Sequence, residues 1–494
     1  MKKIFKFAAI AACVTFLFSS CEDMELLKEH PKQADASTFI SNYASAQAEV
    51  NAMYYHLRRD KVYGRYLCVL TEALSDYAYG RGNYATSYQT GLTAGGVGFV
   101  KDTWAVLYRS IRVGNDILRN LDGAKMSATE YKYITGEIRF LRALAYSELV
   151  KYWGAVPFFD ENNMDDFNKP RTDADQIWQF VYDEADYASK SLPKKVEQIG
   201  RPTRYAASML KGVASLYLER WADAQEAFEF VISSNRYSLV PVSVPDDFEK
   251  LFGASTNGNT EEVFAFKFIE DDGCQSKFFW MFVCNPNPIR PTGALGIWTK
   301  KDLPFIQNWD KADLRYKYDI YTGSSNGTLA SLAGAGNGAI CLKFRDTEST
   351  GEGSANDYPL YRYADCLLWA AEARCKALGA PDATALEYVN MIRRRAYGLK
   401  ATSPQPSDYK LEDYSDTDKF MELVLKERGY ELCFEGKRYS DLKRLGKLAE
   451  YAVKGGKVSS ESEVQDAAWW WPIPSDEFNY NNALDPTVDQ NPGY

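Results

Sequence analysis

The chain has 494 residues, 46% of them hydrophobic and 14% aromatic, which is too long for one minimal domain and enough apolar material for a sizeable buried core. Its 67 Asp and Glu against 58 Lys and Arg give a net charge of -9, and no Lys/Arg-rich block relieves that excess, which argues against a phosphate backbone as partner. Only two histidines occur, His30 and His56, so chemistry needing a histidine base or a multi-histidine metal site has little material.

At the start of the chain, Lys2, Lys3 and Lys6 flank an apolar run over 7–18 that is too short to span a bilayer and ends in small residues before Cys21. This predicts a secretory signal over 1–20. Phe18-Ser19-Ser20-Cys21 resembles a bacterial lipobox, with Phe18 in place of the usual Leu, and Cys21 is the candidate lipidation site. The acidic residues Glu22, Asp23 and Glu25 that follow resemble the export signal of surface lipoproteins in Bacteroidota. Acyl chains contribute roughly 0.8 kcal/mol per buried methylene, so the expectation is a lipid-anchored protein with no spanning helix.

From about 34 to 240 the apolar periodicity is helical. Residues 102–121 and 128–153 read as long helices, and the second carries a stripe of Ile138, Leu141, Ala145, Leu149 and Tyr152 widened by Phe140 and Leu144, so it needs neighbours on two sides. Residues 208–240 read as a helix pair in which Ala214, Tyr217, Leu218, Ala224, Ala227 and Phe228 resemble a tetratricopeptide repeat, a unit that buries its face only by stacking on further pairs.

Between about 241 and 358 the periodicity fails, Pro, Gly and Asn become frequent, 263–269 reads as a strand, and 322–339 reads as a mobile Gly/Ser/Ala loop. Helical patterns resume at 361–378, 382–397, 416–434 and 439–452. The expected fold is therefore mainly α: a body of tetratricopeptide-like helix pairs over about 34–240 and 359–494, carrying an inserted loop-rich lobe with short strands over about 241–358. Nine cysteines, less Cys13 in the signal and Cys21 at the anchor, leave seven with no C-x-x-C spacing; Cys274 and Cys284 form the one pair worth testing for a bridge.

Three blocks carry a family resemblance: LRALAYSELVKYWGAVPF, PLYRYADCLLWAAEA and ERGYELCFEGKRYSDLKRLG, followed by the ending WPIPSDEFNYNNALDPTVDQNPGY. In this order they resemble the SusD/RagB family across almost the whole chain, and Arg139, Arg142, Tyr146, Trp153, Gly154, Pro157, Asp365, Glu372, Glu427, Arg428, Glu431, Glu435, Gly436, Arg438 and Asp441 are the positions that carry the motif. The resemblance implies a nutrient-binding outer-membrane lipoprotein that serves polysaccharide utilization by lidding a SusC-like TonB-dependent transporter. It implies no catalysis and no cofactor.

Sugars present apolar C–H faces and many hydroxyls, so their sites combine aromatic platforms with planar polar side chains, usually on loops. Two stretches qualify. Residues 74–90 supply Asp76, Tyr77, Tyr79, Arg81, Asn83, Tyr84 and Tyr88, with Ser75-Asp76 matching a Ser-Asp that precedes ligand-contacting loops in the family; the insertion supplies Trp280, Asn285, Asn287, Arg290 and Trp298. Other readings compete. The family also has a peptide-capturing branch, a tetratricopeptide body can act as a protein-binding scaffold, and the many carboxylates could serve a helical glycoside hydrolase. Loop Asp, Asn and carbonyl groups could also hold a calcium ion. Glu427 and Glu431 intrude on the apolar stripe of Phe420, Val424 and Phe434, either as an acid/base pair or as members of a structural ion network with Arg428, Arg438 and Arg444; the structural role is the expectation.

Overall fold

The computed structural model describes residues 40–494 apart from 257, 272 and 325; the signal segment, Cys21 and His30 lie outside the described residues. Seven helices make the first part of the body: α1 (Tyr43–Arg58), α2 (Tyr66–Ala73), α3 (Ala94–Asn120), α4 (Ala128–Trp153), α5 (Ala174–Ser191), α6 (Arg204–Tyr217) and α7 (Trp221–Ser233). Six follow the lobe among the described residues: α8 (Tyr363–Leu378), α9 (Ala383–Ala396), α10 (Thr417–Glu431), α11 (Arg438–Arg444), α12 (Leu448–Lys454) and α13 (Ser475–Tyr480). From α3 to α7 each helix packs on the next, and α7 then packs on α8 across the intervening lobe, so the tetratricopeptide-like stack is continuous. Small residues permit the close approach: a Cβ at Gly212 on α6 would stand 2.6 Å from the Phe228 ring on α7.

Helix α4 shows how the local sequence sets these elements. Ser127 caps it by accepting from the Glu130 N–H while the Glu130 side chain accepts from the Ser127 N–H, a reciprocal pair that contributes about 1 kcal/mol. From Ile134 to Trp153 it is buried almost all round, because α3, α5 and α1 all pack against it. It ends at Gly154, whose φ of 72° favours glycine, and Pro157 closes a short strand pair with Arg171.

The stack is held laterally by buried polar contacts from the motif residues. Arg142 lies between Glu184 at 2.7 Å and Glu161 at 2.5 Å, and Arg139 adds a contact to Glu184 at 3.2 Å. Tyr146 donates to the Phe159 carbonyl and accepts from its N–H. Trp153 is fully buried, meets Trp104 and Trp471 edge-on, and donates its indole N–H to the Pro472 carbonyl at 2.8 Å. Asn491 donates to the Trp153 and Trp471 carbonyls, tying the C-terminal tail to the same corner.

The lobe is more ordered than its composition suggests. Strand β1 (Tyr79–Gly80), from the α2–α3 loop, begins a four-stranded antiparallel sheet of order β1-β3-β5-β4, and the separate strands β2 (Glu262–Phe266) and β6 (Tyr358–Arg362) pair antiparallel; β3 is Ile297–Lys300, β4 Ile320–Tyr321 and β5 Gly338–Cys341. The expected loop at 322–339 instead contains a helix, Gly327–Ala333, capped by Asn326, and the start of β5. Two helix expectations are also corrected. The 416–434 helix stops at Glu431, with Phe434 at φ 61°, and the 439–452 helix breaks at Gly446, φ 66°. Cys274 and Cys284 are both free thiols: Arg58 donates to Cys274 and Ser324 neighbours Cys284.

Between lobe and body lies a buried ion network centred on Arg362 at the end of β6. Arg362 reaches Glu261 at 3.1 Å, Glu431 at 3.0 Å and Glu435 at 2.7 Å. Arg395 of α9 joins Glu261 and Glu431, Arg315 of the lobe joins Glu427 and Glu431, and Lys343 of β5's end joins Glu435. The expected partners are thus corrected: Arg428 pairs with Asp441, Arg438 with Asp76 and Arg444 with Glu372, while lobe and α9 cations neutralise Glu427 and Glu431. Sequence neighbours on α10 and α11 point away from the stripe that the distant arginines enter. Asp365 accepts from Lys437 at 2.5 Å, and Gly436, at φ 75°, donates its N–H to Glu72 at 2.6 Å.

Burial raises Glu261 despite Arg395 and Arg362, but at the other end of the network the cations prevail over burial: Arg395, Arg362 and Arg315 hold Glu431 well below the usual range, and Arg362 and Lys343 hold Glu435 down to about 2. A depressed folded-state value means that the stabilisation is complete above the ordinary glutamate value of about 4.3 and is lost as pH falls through it toward the folded value. Thermal melts from pH 6 to pH 2.5 are therefore expected to fall steeply below about pH 4, and Glu435→Gln should lower stability at pH 7 and flatten that fall. Glu431→Gln removes the negative charge that three guanidinium groups share and turns one of its two accepting oxygens into a donor, and should cost about 3–5 kcal/mol in denaturant unfolding. Trp153→Ala should cost about 3–5 kcal/mol through its cavity; a normally stable Trp153→Ala protein that has lost ligand would show instead that the residue belongs to a site.

Candidate functional site

The α2–α3 loop is folded by its own tyrosines. Tyr77 is fully buried, donates to the Glu72 carboxylate at 2.6 Å and accepts from the Phe434 N–H at 3.0 Å. Tyr88 donates to the Leu74 carbonyl, and Tyr84 packs on Phe99 and Tyr66. Asp76 receives both the Nε and Nη2 of Arg438, at 2.8 and 2.9 Å. These four residues shape the loop from beneath and present almost no surface.

What they present is Tyr79. Gly80 allows the loop to fold back, since a Cβ there would meet the Tyr84 carbonyl oxygen at 1.7 Å. Strand β1 then pairs with β3 so that Tyr79 stands directly opposite Trp298, and their rings stack with centroids 4.8 Å apart. Arg81 continues the seam, its N–H on the Gly296 carbonyl and its guanidinium, at 3.3 Å, on the Ala294 carbonyl. Two residues from distant sequence complete the corner. Lys457 lies over the Tyr79 ring at 3.2 Å and donates to the Ala78 carbonyl; Lys300 lies 5.2 Å from Tyr79 and 5.8 Å from Trp298. Lys457 and Trp298 are too close to the ring to share a face, so they cover opposite sides of it. Asn83 is exposed on the following turn.

The other insertion residues stand apart from this corner. Asn287 staples its own turn by accepting from the Ile289 and Arg290 N–H groups. Arg290 is buried, donates to the Gly351 and Gly353 carbonyls, and is pushed down to about 10 by that burial. Trp280 is half-buried, its carbonyl accepting from Ala294, and Asn285 is exposed. Lys300 could have been found from sequence, because it lies two residues beyond Trp298 and so on the same strand face. Lys457, in a Gly-Gly-Lys loop, carries no comparable signal.

Of the grooves that open elsewhere, two bear on the site. One, of about 620 Å³, adjoins the corner: Asp76 and Gly455 line it, with Phe305, Tyr414, Tyr430 and Tyr451 as its aromatic walls. The other, of about 430 Å³, lies between α3 and the tail, where Tyr108 and Phe159 are flanked by Phe167 and by Tyr480, which is 81% exposed. A single half-buried carboxylate, Glu477, enters it, raised by burial and accepting from the Trp104 indole. The paired carboxylates Glu427 and Glu431 lie in neither, and Glu431, held ionised by arginines, has no proton to donate at neutral pH. Among the described residues, no helix is long and apolar enough to cross a membrane and no three His, Cys, Asp or Glu side chains converge as metal ligands.

Comparison with known proteins follows the same division of the chain. The model of the SusD family matches residues 297–494, and a second model, described as starch-binding associating with outer membrane, matches 97–218. A curated relative, SusD-like protein P2 of Formosa agariphila, is 27% identical with 100% of each chain covered. Among solved structures, a SusD homolog from Bacteroides thetaiotaomicron superposes with a TM-score of 0.76 at 20% identity, covering 94% of this chain and 100% of that one. A laminarin binding SusD-like protein superposes with a TM-score of 0.70 at 21% identity, covering 92% and 100%. Two matching models, one on the early helical body and one running from within the lobe to the C-terminus, a relative aligned end to end and the shared helical architecture give one conclusion: the chain belongs to the SusD family.

Proposed function

We propose that this protein captures a glycan at the outer face of the outer membrane and delivers it to a SusC-like TonB-dependent transporter without transforming it. The chain after residue 20 acts as one unit in this reading, the 241–358 lobe serving the helical body, with Cys21 as its lipid anchor. The observation that carries the proposal is the Tyr79–Trp298 stack on the β1–β3 seam, bordered by Arg81, Lys300 and Lys457 and adjoining an aromatic groove. With Trp298 and Lys457 covering the faces of Tyr79, the corner offers a sugar multidentate donors and the adjoining groove offers aromatic platforms, and the corner sits on a loop braced by buried side chains. The laminarin binding of a structural neighbour supports a carbohydrate as the ligand class.

Affinity electrophoresis and calorimetry of the purified protein across soluble glycans test the reading. Binding to at least one glycan is expected, with Tyr79→Ala weakening it about tenfold, or about 1.4 kcal/mol, in a protein that stays folded although the lost stack on Trp298 costs about 1 kcal/mol of stability. Binding of peptides with no glycan bound would move the protein to the peptide-capturing branch, and release of reducing sugar would make it a hydrolase. Co-purification of a large outer-membrane barrel from detergent extracts is expected; its absence would count against the lid arrangement.

A further inference from the structure

Acidic residues outnumber basic ones in this chain, and most of its buried cations have a carboxylate within ion-pair distance. The corner around Tyr79 is different. Among the described residues, no carboxylate lies within 4.0 Å of the charged atoms of Arg81, Lys300 or Lys457, although two of these cations flank a single ring. The nearby acids do not pair with them: Asp76 is engaged by both prongs of Arg438, and Asp302, exposed beyond the end of β3, is near enough to raise the Tyr79 hydroxyl further after burial but lies outside ion-pair distance of the three cations.

The corner is also short of acceptors. The Ala78 carbonyl is taken by Lys457, and those of Ala294 and Gly296 by Arg81. The indole N–H of Trp298 is buried and donates to no protein group. Three cations without a carboxylate partner therefore border the corner, where donors outnumber acceptors and the Tyr79 hydroxyl is a group that can act as either. A neutral sugar hydroxyl must both donate and accept, whereas a carboxylate or sulfate oxygen only accepts and forms charge-assisted hydrogen bonds that are shorter and stronger.

We propose that the Tyr79–Trp298 corner recognises the anionic group of an acidic glycan, a uronate carboxylate or a sulfate ester, through Lys300, Lys457 and Arg81. The proposal rests on the glycan-capture reading above and names its substrate class. The state of Lys457 supports it. Its ammonium is sunk against Tyr79, and burial, with Lys300 adding to it and Asp76 opposing, pushes it down to about 7. The charged and titratable groups facing it are Asp76, Lys300 and Tyr79, with Arg438 behind Asp76. An anion at this place favours the charged amine, so at pH 8 binding should take up a proton.

Calorimetry of the whole protein with an oligouronate, a sulfated oligosaccharide and a neutral oligosaccharide of equal length tests the inference. At least one acidic ligand is expected to bind tenfold or more tightly than the neutral one, to weaken as salt is raised from 50 to 500 mM, and to show at pH 8 an enthalpy that varies with the buffer's ionisation heat. Lys300→Gln and Lys457→Gln should each weaken the acidic ligand about tenfold, and the double variant should lose the preference; Lys300→Gln, at a strand end, keeps the test meaningful if the Lys457 variant folds poorly. Which of the two acids binds identifies the anion. Equal or tighter binding of the neutral oligosaccharide, indifferent to both substitutions, overturns this inference and leaves glycan capture standing. Binding of none of the three, with binding of an acidic peptide alone, overturns both.

Discussion

Arg362 holds together parts of the chain that lie far apart in sequence. Its guanidinium reaches Glu261 at the start of the lobe's first strand and Glu431 and Glu435 on the last helical segments. A charge placed there is tolerable only if every neighbour is in place, since an unpaired buried ion costs several kcal/mol. The network therefore makes lobe and body interdependent: Glu261, Arg315 and Lys343 come from the lobe, and Arg362, Arg395, Glu427, Glu431 and Glu435 from the body. A purely apolar seam of equal size would bind the two parts without fixing their register so narrowly.

That fixity matters for the corner at Tyr79. The loop bearing it is pinned at its start to the segments around α10 and α11, by Asp76 on Arg438 and by Tyr77 and Glu72 on Phe434 and Gly436. The opposing strand β3 belongs to the lobe. The Tyr79–Trp298 stack is thus an interface between the early body and the lobe, and its geometry follows from the ion network some distance away. Binding residues on short, braced elements lose little conformational freedom when ligand arrives.

The helices were largely legible in the sequence because their apolar period and punctuation are local properties. Residues 128–153 were bounded by Ser127, Gly154 and Pro157, each acting through its own backbone. The lobe was not, because its strands are two to five residues long and pair with partners distant in sequence, so no window displays their pattern. The same limit applies to charge. Glu427 and Glu431 were recognisable as ions on an apolar stripe, but nothing near them in sequence indicated Arg315, Arg362 or Arg395. In the candidate site, aromatic enrichment marks the 74–90 loop, yet Tyr77, Tyr84 and Tyr88 build it from inside while Tyr79, of the four tyrosines, reaches the surface seam, a distinction set by tertiary packing. Lys457 came from a stretch without any local signal.

The account's central claim is that glycan is held at the seam between β1 and β3. A crystal structure of the protein soaked with a bound oligosaccharide tests it most directly. The account predicts an intact sugar ring against Tyr79 and Trp298, within hydrogen-bond distance of Lys300 or Lys457, with the Arg362 network unmoved. Sugar seen only in the groove between Tyr108 and Tyr480, or a cleaved sugar anywhere on the protein, would contradict it.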